Sequence, residues 1–173
     1  MSNLFLVGMP GAGKTTIGRT LAKRLGMNFS DSDKELVDRT GVSIATIFEI
    51  EGEAGFRVRE TAILSALVQS DGLVLATGGG TVLLEQNRRL LKEHGTVIYL
   101  RATLDNLWQR TRRDVHRPLL QTENSRATLS ALLNARDPLY CEVANLVIDT
   151  GTQSVTRLAS DILARLDSQR ATT

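Results

Sequence analysis

The stretch Gly8-Met9-Pro10-Gly11-Ala12-Gly13-Lys14-Thr15-Thr16 follows an apolar run, Leu4 to Val7, and opens a segment in which Ile17, Leu21, Ala22 and Leu25 fall on one helical face. It satisfies the phosphate-binding pattern G-x-x-x-x-G-K-[ST] and stands in the strand-then-helix context which that pattern requires. Each residue type has a physical task. Glycines allow the left-handed conformations and close approach by which successive backbone N–H groups turn inward around a polyphosphate. The helix that follows points its positive end at the same anion. Lys14 adds a full charge for the β and γ phosphates, and the Thr15 hydroxyl is placed to ligate Mg²⁺. A glycine-rich turn that merely joins strand to helix is the competing explanation, and it leaves Lys14 and Thr15 without a reason.

Working outward, further short apolar runs occur at Leu73 to Ala76, Val97 to Leu100 and Leu146 to Ile148, with a weaker one at Met27 to Ser30. Longer segments of helical period separate them, the clearest carrying Val155, Leu158, Ala159, Ile162, Leu163 and Leu166 on one face. Strands that are apolar throughout and alternate with helices predict a parallel sheet covered on both faces, an α/β fold of three layers with five strands. The tail SQRATT after Asp167 is expected to fray.

Composition narrows the function. A chain of 173 residues fits one domain, and 21 Lys plus Arg against 19 Asp plus Glu give a net charge of only +2. Bulk charge therefore offers no case for nucleic acid or a membrane surface. Aromatic residues make up 4%, too few for a base-stacking platform. The apolar stretch at the N-terminus is too short for a signal-peptide core, and no segment approaches the roughly 18 apolar residues of a membrane span. Cys141 is the sole cysteine, so an internal disulfide is excluded and a cytoplasmic location is expected. With no extended apolar surface stripe, a monomer is the expected state.

A phosphate-binding loop needs an acidic group at a neighbouring strand end for the metal's shell. Asp149, ending NLVID, is one candidate; Asp31 and Asp33, in Ser30-Asp31-Ser32-Asp33, are the others and are preferred. Two carboxylates two residues apart can serve the metal shell and a substrate hydroxyl, although either one could simply cap a helix starting near Lys34. Arg110 to Arg126, RTRRDVHRPLLQTENSR, reads as a long basic loop, and such a loop inside a compact domain points to function.

Together these segments resemble the shikimate kinases. The match rests on GMPGAGKTT at 8–16, DSD at 31–33, GEAGFRVRE at 52–60, ATGGGTV at 76–82, RPLL at 117–120 and RDPLY at 136–140. The resemblance implies a P-loop fold of the nucleoside-monophosphate-kinase kind across 1–173, with a mobile lid at about 112–124 and a shikimate-binding region at about 31–60. It implies transfer of the ATP γ-phosphate to the 3-hydroxyl of shikimate, with Mg²⁺ as cofactor and with ATP and shikimate as partners.

The resemblance also assigns residues. Gly11, Ala12, Gly13, Lys14, Thr15, Thr16, Arg110, Arg117 and Gln153 match positions that bind ATP, Gln153 at a place that varies in type. Asp33, Arg57, Gly78, Gly79, Gly80 and Arg136 match positions that bind shikimate, and Thr15 and Asp31 those that serve the metal. Lys14, Asp33 and Arg117 are the expected catalytic residues, with Arg117 brought by the lid. Physically, guanidinium forks suit a carboxylate, an aspartate suits a hydroxyl, and glycines at a strand end let backbone N–H groups approach a sugar-like ring. Arg57 also stands at helical spacing from Glu53 and Glu60, so a surface ion pair is the alternative there and Glu60 the expected support. A related small-molecule kinase, such as one acting on gluconate, and a nucleotide-binding module without turnover are the competing functions.

Overall fold

The computed structural model describes residues 2–112 and 125–173. Its sheet has five strands in the order β2-β3-β1-β4-β5, all parallel. They are β1 (Asn3–Val7), β2 (Asn28–Asp31), β3 (Leu73–Ala76), β4 (Gly95–Ala102) and β5 (Leu146–Thr150). The helices are α1 (Lys14–Leu25), α2 (Ser32–Thr40), α3 (Ile44–Leu67), α4 (Glu85–His94), α5 (Leu104–Thr111), α6 (Ser125–Val143) and α7 (Val155–Ala171), and a 3₁₀ turn spans Thr81–Leu83. The strands follow the five apolar runs, each boundary moving by no more than two residues.

Burial explains why β1 is central. Every residue of β1 and β3 is buried, as expected of parallel strands covered on both faces. Right-handed crossovers put α1 on one face and α3, α4 and α6 on the other, because the chain leaves β1 in one direction and β3 in the opposite one. The packing agrees: α1 lies against α7 and β3, whereas α4 and α6 lie against β4. The reversal opens a crevice beyond the carboxyl end of β1, the usual ligand position in such sheets.

Three local features go beyond the sequence reading. The C-terminal segment does not fray at Asp167 but stays helical to Ala171; Gln169 Nε2 ties it back to the Asn145 carbonyl at 3.0 Å. Arg110 and Arg126 are not loop residues but lie on α5 and α6, and Arg126 pairs with Asp105. Finally, α3 breaks at Gly52, whose φ of 72° and ψ of −178° no helix accommodates. The break lets the second arm, carrying Phe56, Arg57 and Glu60, set its own direction against the core.

Candidate active site

The loop between β1 and α1 is fixed by contacts on both sides. A Cβ on Gly8 would lie 2.7 Å from the Leu100 carbonyl oxygen, and one on Gly11 2.6 Å from the Thr111 methyl group, so β4 and α5 both press on the loop. Gly13 is different. It takes φ 94° and ψ 18° as the N-cap of α1, with no side-chain cap, and the space where a Cβ would stand is open. The first N–H groups of α1 thus face a cavity rather than a capping side chain, as an anion site requires. Lys14 Nζ crosses the loop, donating to the carbonyls of Gly8 at 2.6 Å and Met9 at 2.9 Å. The cavity, about 260 Å³, is lined by Gly11, Gly13, Lys14, Thr15, Thr16, Asp31, Asp33, Thr77 and Gly79.

Asp31 uses its two oxygens for two purposes. Oδ2 accepts from the Thr15 hydroxyl at 2.7 Å, while Oδ1 caps α2 by accepting from the N–H groups of Asp33 at 3.0 Å and Lys34 at 3.2 Å. Cap and metal-shell partner are therefore compatible in one residue. A hydroxyl and a carboxylate side by side on a phosphate cavity fit Mg²⁺, which takes few protein oxygens and fills its shell with phosphate and water. Asp149 has another occupation: Arg101 Nε donates to its Oδ1 at 2.7 Å on the exposed end of the sheet. That hydrogen bond holds the Asp149 carboxyl below its ordinary range.

Across the cavity, side chains from four elements converge on Gly78, Gly79 and Gly80. A Cβ on Gly78 would fall 2.7 Å from Asp33 Oδ1 and 2.9 Å from Glu60 Oε2. On Gly79 it would meet the Pro10 ring at 2.7 Å and Arg136 Nη1 at 3.3 Å, and on Gly80 the Arg57 guanidinium at 2.4 to 2.6 Å. Of the three N–H groups expected to approach a ring, one has a partner within the chain. The Gly78 N–H is taken by Ser32 Oγ at 3.0 Å, and the missing side chains leave room for Asp33, Arg57 and Arg136.

Arg57 forms both helical pairs, Nη1 with Glu60 at 2.9 Å and Nη2 with Glu53 at 3.3 Å. Neither makes it a surface residue, because Arg57 is 9% and Glu60 2% exposed. Glu60 Oε2 also accepts from the Thr81 hydroxyl at 3.1 Å, so Arg57 is held by an anchored carboxylate. Arg136 is 3% exposed. Among the described residues no carboxylate lies within ion-pair distance of it, and Nε of both arginines is buried without a hydrogen-bond partner. Buried guanidinium donors with nothing to bind call for an anion.

A family model described as Shikimate kinase matches residues 10–167. The chain belongs to the shikimate kinase family. It is 58% identical over 164 residues to a shikimate kinase of Nitrosospira multiformis, covering 95% of this chain and 84% of that protein. A solved shikimate kinase from Acinetobacter baumannii, in complex with shikimate, superposes with a TM-score of 0.96 at 50% identity, over 98% of this chain and 94% of that one. A gluconokinase from Sinorhizobium meliloti, at TM-score 0.60 and 17% identity over 98% and 95% of the two chains, shares the fold alone.

The remaining residues expected to bind ATP surround a second cavity of about 260 Å³, lined by Ala12, Thr16, Arg110, Gly151 and Gln153 among others. Arg110 bridges its two walls, donating to the carbonyls of Gly11 at 3.1 Å and Gly151 at 3.3 Å. Gln153 braces its own loop, its Oε1 accepting from Gly151 N–H at 2.7 Å and its Nε2 donating to the Asp149 carbonyl at 3.2 Å. Arg117, and the lid apart from Arg112, lie outside the described residues. Residues at the site that escaped the sequence reading include Ser32, Thr77, Thr81 and Tyr140. The first three follow or precede a named residue by one position. Tyr140 stands one helical turn after Arg136, a spacing that was available as a signal.

Proposed function

We propose that this chain transfers the γ-phosphoryl group of ATP to the 3-hydroxyl of shikimate, giving shikimate 3-phosphate for chorismate and aromatic amino-acid synthesis. The observation that carries the reading is that Asp33 and Gly79 line the same cavity as Lys14 and Thr15. An acceptor lying along Gly78–Gly80 therefore abuts the phosphate loop directly. Its carboxylate meets Arg57 and Arg136, buried arginines whose Nε atoms have no hydrogen-bond partner.

In this reading Lys14 and the N-terminus of α1 neutralise the phosphates, and Asp33 orients the acceptor hydroxyl and takes its proton as the new O–P bond forms. Thr15 and Asp31 would hold Mg²⁺, which when bound screens the charge of the β and γ phosphates. Arg110 and the Gly151–Gln153 loop flank the nucleoside end. On the family pattern Arg117, from the lid at about 112–124, adds charge to the transferring group and the lid keeps water out. Most of the acceleration comes from positioning and electrostatics rather than covalent chemistry.

No described helix is long and apolar enough to cross a membrane, and Cys141 is exposed and free. Both suit a reducing, ATP-rich cytoplasm. The test is ADP release from MgATP with shikimate, quinate, gluconate and nucleoside monophosphates as acceptors. Shikimate-dependent release is expected; release on gluconate instead, or on none, would transfer the chain to the small-molecule kinases of the other kind or to the non-catalytic modules.

A further inference from the structure

We propose that Tyr140 is a positioning residue for the acceptor. Through its bond to the Gly79 carbonyl it fixes the distance between Asp33, which meets the reacting hydroxyl, and the guanidiniums of Arg57 and Arg136, which meet the carboxylate. The inference rests on the reading of the site as a shikimate site.

Tyr140 is fully buried and does not line the phosphate cavity. It follows Arg136 by one turn of α6, so the two side chains share a helix face. Its hydroxyl donates to the Gly79 carbonyl. The ring itself is held, lying 4.8 Å from Tyr99 in a tilted stack, while the Tyr99 hydroxyl donates to Asp137 Oδ1 at 2.6 Å.

Three consecutive glycines are the least restrained backbone a chain can offer. Here each one sets a different part of the site: Gly78 backs Asp33, Gly79 fits between Pro10 and Arg136, and Gly80 backs Arg57. The run is tied at one end by Ser32 Oγ, on the helix that carries Asp33. Tyr140 ties its middle to the helix that carries Arg136. A rigid acceptor bound at both ends reacts only if those ends are correctly spaced, and loss of about an ångström in such alignment costs on the order of a hundredfold. Packing needs only the ring, whereas spacing needs the hydroxyl. Burial pushes the phenol well above its ordinary pKa, although Arg136 pulls the other way, so the donor stays protonated at working pH.

Tyr140→Phe keeps the ring and removes the bond. Steady-state kinetics with each substrate varied should show the shikimate KM raised about five- to tenfold, kcat lowered a few-fold and the ATP KM unchanged. With shikimate methyl ester, whose carboxyl no longer pairs with the guanidiniums, variant and parent should have equal kcat/KM. Tyr99→Phe removes the other hydroxyl of the cluster and should leave the shikimate KM alone. The chain has two tyrosines, so in that background 3-fluorotyrosine labels position 140 alone, and its fluorine resonance should move with shikimate but not with ATP. An unchanged shikimate KM in Tyr140→Phe, an equal loss for both substrates, an equal effect of Tyr99→Phe, or a resonance indifferent to shikimate would each overturn the proposal. Absence of shikimate-dependent turnover in the parent would instead overturn the functional reading.

Discussion

The two halves of the site are built from different materials. The phosphate half is one continuous stretch of backbone, Gly8 to Thr16, whose glycines adopt φ of 150°, 85° and 94° at positions 8, 11 and 13. The acceptor half is a set of side chains from α2, α3 and α6 packed onto three glycines, none of which has a positive φ. A phosphate has no shape that needs reading beyond its charge and oxygens, so N–H groups and a helix end suffice for it. A small acid with several hydroxyls must be recognised group by group, and only side chains offer that choice.

This contrast is most open to attack at Asp33, where the halves meet. Asp33→Asn keeps the shape and removes the proton acceptor, so kcat should fall by about 10² to 10⁴ while the ATP dissociation constant stays nearly constant. Parallel losses in turnover and ATP binding would assign Asp33 to the metal shell and blur the division. Arg136→Ala should next cost about 1.5 to 3 kcal/mol of shikimate binding through lost charged hydrogen bonds, a factor of roughly 10 to 150, measured by calorimetric titration. An unchanged shikimate affinity would mean that the carboxylate sits elsewhere.

The same contrast explains what could be read in the sequence. The phosphate half was legible because contiguity is what a pattern records: spacing, strand and helix all lie within Leu4 to Leu25. The strands were legible to the extent that they are buried: β1 and β3 are unbroken apolar runs, buried throughout, whereas β2, none of whose residues is buried, left the weakest run. Arg57 was not legible from its own neighbourhood. Glu53 and Glu60 at spacings of four and three describe an ordinary solvent-facing helix, and only the tertiary fold, including the break at Gly52, turns that face inward. It became a site residue through family resemblance. The side chains that Gly78–Gly80 accommodate were hidden for the same reason, because Asp33, Arg57, Glu60 and Arg136 come from other helices, distant in sequence.

A pair of glycine substitutions sharpens the point. Gly80→Ala meets no backbone obstacle, with φ −96° and ψ 4°, but its methyl group would displace the Arg57 guanidinium. The shikimate KM should rise about tenfold, within the range for a charged hydrogen bond, and any stability loss should come from the disturbed buried Arg57–Glu60 pair rather than from backbone strain. Gly13→Ala meets no side chain but has φ 94°, so it should lower stability by about 1 to 2 kcal/mol and weaken ATP binding. Chemical denaturation beside substrate titration separates the two. An unchanged shikimate KM in Gly80→Ala would show that the Arg57 guanidinium need not hold its place.

A last effect concerns what lies under the acceptor half alone, the tyrosine pair. Burial, and for Tyr99 the hydrogen bond to Asp137 as well, raises both phenols above the ordinary value near 10. Below about pH 10 each is protonated whether the chain is folded or not, and its contribution to stability is complete. Above that pH the unfolded chain releases the proton first, so stability must fall as pH rises, by about 1.4 kcal/mol per pH unit for each tyrosine. Denaturation midpoints between about pH 9 and 11.5 should trace that slope, and Tyr99→Phe or Tyr140→Phe should each remove half of it. A slope unaffected by either change would place the alkaline sensitivity outside the tyrosine pair and leave the two phenols without a part in it.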